Sequence, residues 1–113
     1  MYNNLRLVYI TTSSKEEARS IGRTLIEDEL AACINIIDGM ESIYRWEGKV
    51  VSDQECVLIA KTHYSKMKEL TNRVNKLHSY DCPCIISITL TENEGNKDYL
   101  NWLISESKGE LSV

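Results

Sequence analysis

Almost nothing in this chain interrupts regular structure: one proline, Pro83, and five glycines are spread over 113 residues. Proline lacks a donor and fixes φ, while glycine is the residue that most readily leaves the helical and extended regions. With so few of either, there is no linker, and each break marks a place where two elements meet. Leu5 to Thr12 alternates and is rich in β-branched and aromatic residues, which predicts a strand. Ser14-Lys15-Glu16-Glu17 fits a capping box, a hydroxyl followed three residues later by a carboxylate. Behind it Ala18, Ile21, Leu25 and Ile26 recur at helical spacing, opposite Arg19, Arg23, Glu27 and Asp28. A first helix is expected from Ser14 to Leu30.

Ala32 to Ile37 reads as a buried strand, Asp38-Gly39 breaks it, and Ser42 to Trp46 resumes it. Glu47-Gly48-Lys49 is a hairpin signal, with Cys56 to Thr62 as the return strand. Met67, Leu70, Val74 and Leu77 predict a second helix from Ser65 to His78, which Asp81-Cys82-Pro83 brings to a stop. Ile85 to Thr91 alternates as a strand, Glu92 to Gly95 is a turn, and Asp98 to Glu106 is a short third helix. The order β-α-β-β-α-β plus a C-terminal helix predicts one α+β domain over residues 1–113, a ferredoxin-like sandwich with helices on one face of an antiparallel sheet. Tyr9, Tyr44, Trp46 and Trp102 are too many large rings to leave in water, so the second face is expected to be buried by another subunit. A hairpin running from Ser42 to Thr62 also outreaches the body of so small a chain, and its edge needs a partner.

Composition excludes several classes of function. Hydrophobic residues at 42% and charged ones at 27% describe an ordinary globular chain, and about two-thirds of its extended surface would be buried on folding. A net charge of −4 argues against nucleic acid or an anionic membrane as partner. No apolar run approaches the roughly 20 residues that cross a bilayer. The polar start Met1-Tyr2-Asn3-Asn4 shows no signal peptide, so the cytoplasm is the expected compartment, with Cys33, Cys56, Cys82 and Cys84 as reduced thiols.

Five segments form a pattern, of which the tryptophan-glycine hairpin and the His-x-Tyr-x-x-Pro segment are the specific ones. Ala31-Ala32-Cys33-Ile34-Asn35-Ile36, Ser42-Ile43-Tyr44-Arg45-Trp46-Glu47-Gly48-Lys49, Glu55 with Lys61-Thr62, His78-Ser79-Tyr80-Asp81-Cys82-Pro83 and Tyr99-Leu100-Asn101-Trp102 resemble the pattern of the CutA family, in its order and at its spacing. The resemblance runs from about Leu7 to Trp102. It implies a non-enzymatic protein of divalent-cation, chiefly copper, tolerance. It also implies a homotrimer whose sheets pair edge to edge, with long hairpins reaching onto neighbouring subunits. No cofactor is required; copper or another divalent metal ion is the ligand implied.

His78 is the metal-ligand candidate, through neutral imidazole. The alternative is a helix-terminal residue that bonds a carbonyl. Some bacterial family members carry a cysteine where this chain has Ile10 and a second histidine where it has Leu77, so two of three family ligands are absent here. Cys82-Pro83-Cys84 is either a thiolate pair suited to Cu(I) or two apolar residues entering a strand, and Cys33 and Cys56 read as core residues. His63 reads as a surface or helix-start residue. Tyr44, Trp46, Lys61, Thr62, Tyr80 and Trp102 are candidates for an inter-subunit cleft, which a trimeric small-molecule sensor would use. There is no glycine-rich phosphate loop and no identifiable nucleophile with base and acid partners.

Overall fold

The structure, a computed structural model that describes residues 4–108, places the alternating segment Leu5–Thr12 as strand β1 inside the sheet. Val8 and Ile10 turn to one face and are fully buried, as are Cys56, Leu58 and Ala60 of β3 (Lys49–His63). Helices α1 (Lys15–Glu27) and α2 (Met67–Leu77) close that face with Ala18, Ile21, Leu25, Leu70 and Val74. Each large apolar side chain so removed from water contributes about 1.5–3 kcal/mol. The remaining elements are β2 (Cys33–Trp46), β4 (Ile85–Thr89) and α3 (Lys97–Lys108). All pairings are antiparallel, in the order β2-β3-β1-β4. Among the described residues no helix is long and apolar enough to cross a membrane.

Ser14 is the N-cap of α1, its Oγ accepting from the Glu17 N–H at 3.0 Å. The helix ends at Glu27 and not at Leu30, because Glu29 takes a left-handed φ of 59° and the N–H groups of Leu30 and Ala31 both fold back onto the Leu25 carbonyl. Leu30 is buried all the same. It continues the apolar period from beyond the cap, which is why periodicity alone carries the helix too far. The second helix is likewise shorter than its pattern: a 3₁₀ turn, Tyr64–Lys66, precedes α2, and His78 is its C-cap.

The expected break at Asp38-Gly39 is a bulge within one continuous strand, with register passing from Ile37↔Val57 to Met40↔Glu55. Gly39 supplies a φ of 80°. The return strand starts at Lys49, well before Cys56. Its outer half is polar, and cross-strand bonds hold it: Ser42 Oγ to Glu55 Oε1 at 2.7 Å, Ser52 Oγ to Glu41 Oε2 at 3.0 Å, and Tyr44 Oη to Asp53. Since β1 pairs with β3 only as far as Thr12↔Cys56, residues 49–55 have β2 as sole neighbour, and the projecting hairpin is included in overall extents of 48 × 27 × 22 Å. The turn itself is Glu47-Gly48, both at positive φ (50° and 79°).

Two successive left-handed residues make a turn that matches strand twist, and Asn-Gly suits it better than Glu-Gly. Glu47→Asn is therefore expected to raise stability by about 0.5–1 kcal/mol, and Gly48→Ala to lower it by about 1 kcal/mol, both read from urea midpoints at constant m.

Candidate functional site

The β1–α1 loop, the exit from α2 and the base of the hairpin meet at one end of β1. Glu17 joins the first two. Its Oε1 accepts from the Ser13 N–H at 3.0 Å and from Ser13 Oγ at 2.9 Å, while Oε2 accepts from the Ser79 N–H at 2.7 Å. The carboxylate of the capping box thus passes over the N-cap residue and ties α1 to the far loop. Burial works to raise its pKa, but the hydrogen bonds from Ser13 and Ser79 outweigh burial and hold it at about 2, against an ordinary 4.5.

His78 lies beneath, its side chain fully buried. Nε2 is 2.7 Å from the Thr11 carbonyl, and Nδ1 accepts from the Tyr80 N–H at 3.0 Å. A carbonyl can only accept and an N–H can only donate, so this network assigns the neutral tautomer with hydrogen on Nε2. Both nitrogens are engaged, and Glu17 Oε2 is 3.7 Å from Nδ1. A metal ion at His78 would have to displace one of these bonds. Tyr80 Oη in turn donates to Glu55 Oε2 at 2.8 Å, so the loop is fastened to the hairpin base. Burial first, then the bond and charge of Glu55, push the Tyr80 phenol well above its usual range. Burial and the same carboxylate also push up the Cys84 thiol.

The cleft candidates fall into separate places. Tyr44 and Tyr80 belong to the hairpin-base group, the Tyr44 phenol raised chiefly by its bond to Asp53. Trp46 stands at the hairpin tip, 59% exposed. Lys61 lies about 20 Å along β3 from Glu55 at strand rise. Its Nζ is 3.1 Å from Tyr99 Oη and 5.3 Å from the ring centre, and Tyr99 stacks on Trp102 with centroids 5.7 Å apart. Thr62 turns to the helix side, where it is fully buried and donates to the Leu30 carbonyl at 2.7 Å. It braces the start of β2 and faces no cleft. His63 starts the 3₁₀ turn as expected, but it is buried rather than on the surface, with Nδ1 accepting from the Ser65 N–H.

All four cysteines are free thiols: Cys56 is buried, Cys33 and Cys84 are half-buried, and Cys82 is exposed. Cys33 is paired in register with Lys61 on the open face of the sheet, outside the core where a strand residue of its kind was expected. Among the described residues, no three His, Cys, Asp or Glu side chains come together as metal donors. Sequence reasoning missed Ser13, Ser79 and the reach of Glu17. No spacing signal links Glu17 to a residue 62 positions away.

A small antiparallel α+β protein with a projecting hairpin and a polar loop junction is the class that this geometry defines. Residues 6–106 match the model of the family described as CutA1 divalent ion tolerance protein. The divalent-cation tolerance protein CutA of Thermus thermophilus is 47% identical over 97 residues, covering 86% of this chain and 92% of that one. A solved structure of the Thermus tolerance protein superposes with a TM-score of 0.86 at 45% identity, covering 91% of this chain and 98% of its own. The structure of the periplasmic divalent cation tolerance protein CutA from Archaeoglobus fulgidus gives 0.84 at 38% identity, with 91% and 98% covered. The chloroplastic protein CutA of Arabidopsis thaliana is 41% identical over 90% of this chain, which spans 55% of that relative. The chain belongs to the CutA1 divalent ion tolerance family. The family's name describes tolerance and not a reaction.

Glu17 yields a pH prediction. Its folded pKa lies below its ordinary value, so its stabilisation is complete above about pH 4.5 and is lost as pH falls towards 2. Urea midpoints of the Glu17→Gln variant should therefore decline less steeply than wild type between these limits, and at neutral pH the variant should be the less stable. Parallel acid limbs would remove Glu17 from this role.

Proposed function

We propose that this chain acts as a non-enzymatic cytoplasmic homotrimer in divalent ion tolerance, folded as a ferredoxin-like sandwich with α3 added. The observation that carries the assembly is the sheet face turned away from α1 and α2. Leu7, Tyr9 and Ile59 share that face with Ile86 and Ile88, which are 54% and 55% exposed. The projecting ribbon adds Ile43 and Val50 on its other side, 67% and 68% exposed. A two-stranded ribbon that leaves apolar side chains such as Ile43, Val50 and Trp46 in water is at best marginal alone. A hairpin laid on the sheet of the next copy is a heterologous contact, which closes into a ring and buries both surfaces. Three copies is the number that the family resemblance implies. The free thiols support a reducing compartment, and the net charge of −4 supports neither nucleic acid nor membrane as partner.

Metal enters this reading as an external partner and not as a cofactor. The donors present do not fit a resident ion: both nitrogens of His78 are engaged, and Ile10 and Leu77 offer no ligand atoms. Cys82 and Cys84 have no third donor near them among the described residues. A second reading, a trimeric sensor of small molecules, draws on Lys61 beside the Tyr99–Trp102 stack, which would line a cleft between copies.

Light scattering at micromolar concentration is expected to give three times 13.0 kDa, and a monomer there would sink the architecture. Trp46→Ala should loosen the assembly, by about 3 kcal/mol if the indole is fully buried between copies. Calorimetric titration with Cu(II) should show no stoichiometric site tighter than about 1 µM. A site of that strength abolished by His78→Ala would restore the histidine as a ligand.

A further inference from the structure

Two cysteines, Cys82 and Cys84, flank the chain's single proline just before β4. Both are free thiols, Cys82 exposed and Cys84 half-buried, and neither belongs to the core. Proline shapes this segment. Its ring fixes φ at Pro83 and turns the residue before it, Cys82, away from the helical region. The chain bends at Asp81 and Cys82, then runs without bend or turn through Pro83 and Cys84 into Ile85. Cys84 continues the register of β4: the Ile10↔Ile85 pair puts it opposite Thr11, whose side chain hydrogen-bonds its sulfur. The two cysteines are therefore alternate residues of an extended segment, the positions whose side chains share one side of a strand.

Spacing decides what can join the sulfurs. Alternate Cα atoms of an extended chain lie roughly 6.6 Å apart, at the far end of the range of about 4.4–6.8 Å that a disulfide spans. An ion held between the sulfurs lengthens the bridge to about twice an S–S bond, and closes it without drawing in the backbone. Donor count decides which ion. Among the described residues no third His, Cys, Asp or Glu joins the pair as a group of metal donors. The Glu55 carboxylate lies near enough to raise the Cys84 thiol, but its oxygens already accept from Ser42 and Tyr80. Structural Zn(II) takes four ligands, and Cu(II) prefers a square of nitrogen and oxygen. The shortage that turns away a divalent ion suits a closed-shell monovalent one, which two thiolates in a line satisfy.

We propose that Cys82 and Cys84 form a two-coordinate site for a thiophilic monovalent ion, Cu(I) or Ag(I). Binding exchanges two thiol protons for one ion: two S–H bonds break, two metal–sulfur bonds form, and no electron changes hands. Exposed Cys82 is the point of entry, and Cys84, steadied by Thr11, completes the pair. Pro83 has little freedom to lose, so the segment is ordered before the ion arrives. The site is separate from His78, whose nitrogens are both engaged. It also draws its donors from a single chain, so it does not rest on the number of copies in the assembly.

The full chain, reduced and under argon, is titrated into the coloured Cu(I) complex of bathocuproine disulfonate, and the loss of colour is read. Withdrawal of one Cu(I) per chain is expected, with Ag(I) bound at the same stoichiometry by native mass spectrometry. Cys82→Ser and Cys84→Ser should each abolish withdrawal as completely as the double variant, because two-coordination needs both sulfurs. Neither position is in the core, so the variants fold, and unchanged melting of the metal-free proteins checks this. Cys33→Ser should keep the ion in full. No withdrawal by the wild type, or undiminished withdrawal by the double variant, overturns the proposal. Loss in Cys82→Ser with retention in Cys84→Ser also overturns it, since one exposed thiol would then be the ligand. So does one ion for two or three chains, which would place the sulfurs on different copies.

Discussion

β3 is fifteen residues long and the strand that it lies against, β1, is eight. That mismatch governs the rest of the molecule. Where the two run together, α1 and α2 can cover one face and build a core; where β3 runs on, it has only β2 to pair with and no helix above it. The overhang then needs support from outside or from within. Inside the chain it receives a polar ladder, Ser42–Glu55, Tyr44–Asp53 and Glu41–Ser52, which orders the ribbon without burying it.

The junction at the base of the overhang is bonded rather than packed. Glu17, His78 and Glu55 each receive or give hydrogen bonds across chain separations that no secondary structure supplies. Burying polar groups is tolerable only when all are satisfied, and among the described residues no buried side-chain nitrogen or oxygen lacks a partner. Any ligand that approached His78 or Tyr80 would have to displace one of these bonds, since both nitrogens of the imidazole are engaged and the phenol donates to a carboxylate.

Strands and helices were legible because their apolar residues keep period: Leu5–Thr12 matches residue for residue, and the turn at Gly48 and the cap at Ser14 lie where their chemistry points. What was illegible lacks period. The return strand reads as starting only at Cys56 because Ser52, Asp53, Gln54 and Glu55 before it carry no apolar signal, their pairing being set by side chains on the opposite strand. Leu30 misled in the other direction, keeping period past the end of a helix. Of the site, His78 and Tyr80 stand out through their motif. Their partners Thr11 and Glu17 do not, since a backbone carbonyl carries no sequence signal and Glu17 has a sufficient local explanation as a cap.

The bulge at Asp38-Gly39 sets the phase of everything beyond it. Side chains alternate faces with a period of two, and three residues of β2 there span two of β3. The extra residue puts Ile37 and Met40, an odd number apart, on the same side, and with them Ser42, Tyr44 and Trp46. Deleting Asp38 or Gly39 would remove the bulge and leave these faces as they are, whereas deleting Glu41 would send Ser42, Tyr44 and Trp46 to the side that Ile43 and Arg45 now hold. The bulge can therefore absorb the loss of one residue, while the paired stretch from Met40 to Trp46 keeps its pattern of faces only when its length changes by two.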